Sequence, residues 1–70
     1  MPAFNPLLVS IMRDALDHVM LQVPAAQATA ATKAHVAEVI LKAAADGVTS
    51  YDGLVSTAVD QLPVILSLVA

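Results

Sequence analysis

Three stretches of the chain repeat apolar residues at helical spacing. In the first, Ser10, Arg13, Asp14, Asp17, His18 and Gln22 step by 3, 1, 3, 1 and 4 and trace one polar face. Leu8, Ile11, Met12, Ala15, Leu16, Val19, Met20 and Val23 fill the opposite face, a stripe wider than one neighbouring helix covers. Asn5-Pro6 marks the start, since Asn is a favoured N-cap and Pro is tolerated at the first helical position. A helix is predicted over residues 6–22, stopping ahead of Pro24, because the residue before a proline is driven out of the α region.

Residues 24–32 form an alanine-rich connection with enough helix propensity to be partly helical. Thr29 or Thr32 caps the second helix, predicted over residues 33–46. Val36, Val39, Ile40, Ala43 and Ala44 make its buried stripe, with Lys33, Glu38 and Lys42 outside. Glu38 precedes Lys42 by four residues, the favoured order for a helical ion pair. Asp46-Gly47-Val48 is a stop signal: glycine takes the left-handed position after the helix, and Val48 supplies the hydrophobic contact of a Schellman turn. Thr49 and Ser50 offer an N-cap for a third helix, and Asp52 favours a helix N-terminus there. So short a turn makes the second and third helices a helical hairpin or corner.

The third helix is predicted over residues 51–69. Val55, Val59, Leu62, Leu66 and Val69 form a seam at spacings of 4, 3, 4 and 3. Ser56, Asp60, Pro63 and Ser67 lie on the opposite side, which puts the proline on the solvent face. The seam runs through Pro63, so the helix is expected to continue past it with a kink; the competing reading ends the helix near Leu62 and leaves Val64–Val69 as an extended or short helical tail. The fold class is therefore all-α: one three-helix domain over residues 1–70, with a tight turn between helices two and three.

Composition changes this picture in one respect. The chain has 70 residues and 59% are hydrophobic, with mean hydropathy +0.79. A domain of this mass should expose roughly 4,100 Å² when folded and sits at the marginal end for burial. Cysteine is absent, so no disulfide can staple it. The last ten residues, from Gln61 onward, carry no charge. A frayed terminus of that kind would be an exposed apolar patch, and association is the simplest way to cover it. A homo-oligomer, with a dimer favoured, is expected, its interface on Leu62, Ile65, Leu66 and Val69, with the surplus stripe of the first helix as second choice.

Charge and chemistry narrow the function classes. The net charge of −3 leaves Arg13, Lys33 and Lys42 as the only cations beside six carboxylates. Duplex binding rests on phosphate neutralisation, so nucleic acid is not expected as a partner, and the third helix contains no Lys or Arg to serve as a recognition helix. No uncharged run reaches the roughly 20 apolar residues of a membrane span. Met1–Met12 lacks the basic start of a secretory signal, so a cytoplasmic location is expected. Asp14–His18 and His35–Glu38 are carboxylate–imidazole pairs on helix faces, but they lack the further ligands and inward projection of a bundle metal site. Ser10, Ser50, Ser56 and Ser67 stand at caps or on helix surface without a glycine-rich elbow around them. The corner around Ser50 also lacks the Asp-Ser-Leu of phosphopantetheine carriers. No catalytic, cofactor-binding or metal residue is assigned.

Thr32 to Ala58, with its capped helix, its Ala44-Ala45-Asp46-Gly47 stop and Leu54 at the fourth position of the next helix, resembles a pattern in small bacterial all-helical proteins with no assigned activity. The resemblance spans about 27 residues and consists of caps and core positions. It implies a bacterial chain with the hairpin layout and no chemistry. The function expected is a non-catalytic helical protein-interaction module that self-associates. The alternatives are an accessory subunit binding another protein and a peripheral membrane-surface protein.

Overall fold

The computed structural model describes residues 5–69; the remainder of the 1–70 domain, Ala70 of the apolar tail included, lies outside the described residues. Three helices pack against one another: α1 (Pro6–Leu21), α2 (Ala30–Ala45) and α3 (Tyr51–Val69). The all-α, three-helix class read from the pattern is the observed one, and the helix limits differ from those predicted by three residues at most.

Each helix begins on a side-chain cap. Asn5 Oδ1 accepts the Leu8 N–H at 2.7 Å, and Pro6 occupies the first turn. Thr29 Oγ1 accepts the Thr32 N–H at 3.3 Å, so the cap is Thr29 and α2 starts three residues earlier than predicted. Thr32 is fully buried one turn inside, its hydroxyl 3.3 Å from that of Thr29. Ser50 Oγ accepts the Gly53 N–H at 3.1 Å and opens α3. Such caps satisfy donors that have no partner inside the helix.

The connections differ in kind. Leaving α1, the chain buries Val23, passes Pro24 and makes a short 3-10 turn at Ala25–Gln27. The alanine-rich segment is thus partly helical: Ala25–Gln27 form the 3-10 turn, and its last three residues, from Ala30 to Thr32, are the first turn of α2. The α2–α3 turn is a Schellman motif: Val48 N–H donates to Ala43 O at 2.9 Å and Gly47 N–H to Ala44 O at 3.1 Å. Gly47 has φ +107°, the conformation that glycine alone adopts without strain.

The core joins Met12, Ala15, Val19 and Val23 from the first segment with Val36, Ile40, Ala43 and Ala44 of α2 and Leu54, Ala58, Leu62 and Ile65 of α3. On α2 the predicted stripe is the buried one, with Val39 at its edge. On α3 the inward line is shifted from the predicted seam. Leu54, Ala58, Leu62 and Ile65 face the interior, while Val55, Val59 and Leu66 are half-buried shoulders. Ala58 and Ala15 have no exposed surface; at a helix contact a side chain this small lets the axes approach closely. Pro63 lies inside α3 and is exposed, and the helix continues to Val69.

Candidate interaction surface

The surface is best described by the large apolar side chains that the closed fold leaves outside. They occur on all three helices: Leu7, Val9 and Leu21 on α1, Leu41 on α2, and Tyr51, Val64 and Leu68 on α3. Leu21 is 84% exposed, Leu7 71%, Leu68 68% and Val64 56%. Among the described residues, four of the twelve buried hydrophobic ones are alanines, so much of the interior is filled by the smallest apolar side chain while leucines stand in water. The chain's accessible surface of 4384 Å² nonetheless sits close to the roughly 4,100 Å² expected for a folded monomer of its mass. The fold closes on itself and still leaves these large apolar side chains outside.

The predicted interface residues separate on this criterion. Leu62 and Ile65 are 7% and 3% exposed and belong to the chain's own core, so neither is free to touch another molecule without opening the bundle. Leu66 and Val69 are half-buried. The exposed large apolar residues of the same stretch are Val64 and Leu68, one turn apart on the flank of α3 that also carries Thr57 and Gln61. The displacement follows from the shifted inward line of α3: a core centred on Ala58 turns Ile65 inward and Val64 outward.

Among the described residues, open grooves separate α2 from α3 and α1 from α2. One, about 260 Å³ between α2 and α3, has Val39 and Ala43 with Lys42, Asp46, Thr57 and Gln61 around it. Its charges are already engaged, Lys42 Nζ standing 3.5 Å from Asp46 Oδ2. Lys42 therefore pairs toward the end of α2 and not with Glu38, as the sequence order had suggested; Asp46 is the C-cap residue of α2. The Thr57 hydroxyl donates to the Gly53 carbonyl at 2.8 Å. The other groove, about 210 Å³ between α1 and α2, is apolar apart from Arg13, with Val9, Leu16 and Leu41 along it.

The two histidines have separate settings. His18 sits near the end of α1 and meets the Tyr51 ring edge-to-face, centroids 5.9 Å apart, which ties the start of α3 to the end of α1. His35 is half-buried on α2. Among the described residues no group of three or more His, Cys, Asp or Glu side chains is placed to hold a metal ion. The sequence pattern concealed one property of α3, which is long and apolar enough, by length and composition, to cross a membrane, at mean hydropathy 1.3. Counting charge-free runs hides this, because Asp52 and Asp60 divide the segment. In the fold its inward line packs on α1 and α2.

Comparison with protein-family models, curated proteins and solved structures finds no match for this chain.

Proposed function

We propose that this chain is a non-catalytic helical interaction module that associates with itself, a dimer being the form favoured. The observation that carries the reading is the excess of exposed leucine and valine on a fold whose own core is partly built from alanine. Removing such side chains from water favours association, and a two-fold dimer is the commonest way to cover them. On this reading the contact surface lies on outward positions, because Leu62 and Ile65 pack inside the chain's own core.

Light scattering of the intact chain over a dilution series tests this. The expected result is a mass near twice the 7.2 kDa of one chain, falling toward it on dilution. A mass of one chain at every concentration refutes self-association and favours the accessory-subunit reading, in which the exposed side chains meet a different protein.

A further inference from the structure

We propose that the second copy docks on the outward face of α1, antiparallel to it, about a two-fold axis passing between Arg13 and Asp17. The proposal rests on the self-association put forward above and says which surface performs it.

Val9, Arg13, Asp17 and Leu21 stand four residues apart in one row along α1, and all four are exposed. Residues at that spacing are neighbours on a helix surface, and the row extends over about 18 Å of the axis at 1.5 Å per residue. Its order is apolar, basic, acidic, apolar. Reversed, it becomes apolar, acidic, basic, apolar, which is its own complement. Two copies laid antiparallel therefore bring Val9 of one against Leu21 of the other, and Arg13 of one against Asp17 of the other, twice over by symmetry. A parallel arrangement sets Arg13 on Arg13 and Asp17 on Asp17, so the same row selects the orientation as well as the occupant.

Within one chain these two charges are not used on each other. The ion pair formed among the described residues is Lys42–Asp46. Arg13 precedes Asp17, the less favourable order for an intrahelical pair, and each side chain keeps its capacity for a group outside the chain. Beside the row runs the apolar groove between α1 and α2, where Leu16 and Leu41 extend the surface available to the incoming helix. Val64 and Leu68 on α3 form a second exposed pair, but no charge pattern there specifies an occupant.

Charge reversal separates this arrangement from any other. Arg13→Asp places two acidic contacts across the axis, and Asp17→Arg places two basic ones. Each single reversal is expected to raise the dimer dissociation constant by about tenfold, as like charges replace opposite ones at two places. The double reversal restores the pattern in mirrored form and returns association to the native level. The two single variants mixed together also associate, because one then carries only acids and the other only bases at these positions. All substitutions are on exposed surface, and helicity by circular dichroism checks that the monomer is intact. A native dimer indifferent to all four tests overturns the α1 interface while leaving self-association standing. A native chain that stays monomeric overturns both.

Discussion

Replacing Gly53 by Ala sets two effects against each other, and the structure decides between them. Alanine is the better helix former by about 1 kcal/mol in a helix interior, so propensity alone predicts a gain. A Cβ on this backbone, however, would stand 2.8 Å from Ser50 Oγ and 2.8 Å from Val48 Cγ1. Neither atom is free to retreat. Ser50 Oγ holds the Gly53 N–H as the cap of α3, and Val48 packs against the core as it closes the Schellman turn. Losing a serine cap costs about 1 kcal/mol, and forcing an extra methyl into a packed site about 1–3 kcal/mol. Net of the propensity gain, Gly53→Ala should destabilise by about 1–3 kcal/mol, lowering Tm by roughly 5–15 °C for a domain of this size. Thermal melts followed by far-ultraviolet circular dichroism read this directly. A double-mutant cycle with Ser50→Ala adds a second check: removing the Oγ relieves half the crowding, so the two substitutions should cost less together than the sum of each alone. An unchanged or raised Tm, or strict additivity, refutes the steric account of this glycine.

Gly47→Ala meets no neighbour within 4 Å but must hold φ +107°, so it should cost about 1 kcal/mol through backbone strain alone, and Gly47→Asn less; an alanine variant as stable as the native chain refutes this. Pro63→Ala returns an N–H to α3 opposite the Val59 carbonyl, on an exposed position, and should stabilise by about 1–3 kcal/mol in urea titration; no gain means that the native helix has already adapted around the proline. Ile65→Ala should destabilise the chain by about 2–5 kcal/mol, whereas Leu68→Ser should change unfolding of the monomer by no more than about 0.5 kcal/mol. Equal effects in denaturant unfolding would contradict the division of the tail into core and surface.

The parts of the fold legible in the sequence are those governed by local rules. Asn5, Thr29 and Ser50 accept backbone donors a fixed three residues on, and Gly47 ends α2 with the two hydrogen bonds its position implies; none of this needs a neighbouring helix. The inward line of α3 is different, because it depends on what faces it. Hydrophobic patterning gives more weight to valine and leucine than to alanine, so it favours Val55, Val59 and Leu66 and passes over Ala58. In the packed bundle the preference reverses: Ala58 is fully buried, and Val55, Val59 and Leu66 become shoulders.

That shift of the inward line of α3 changes which apolar residues are left outside. With Ala58 at the centre, Leu62 and Ile65 turn into the bundle and are used in folding, and the uncharged tail loses the two residues that made it the first choice of interface. The same packing leaves α1 with its inward stripe covered and its outward row in water. Sequence alone reads Arg13, Asp17 and their neighbours as one solvated polar face, because polarity says where water is tolerated and not what complements the row. Only with α2 and α3 in place do Val9 and Leu21 stand out as bracketing two opposite charges on the same free surface. For a chain this small, folding and the proposed self-association would draw on the same few apolar side chains. The proposed interface is therefore built from residues that the core leaves outside.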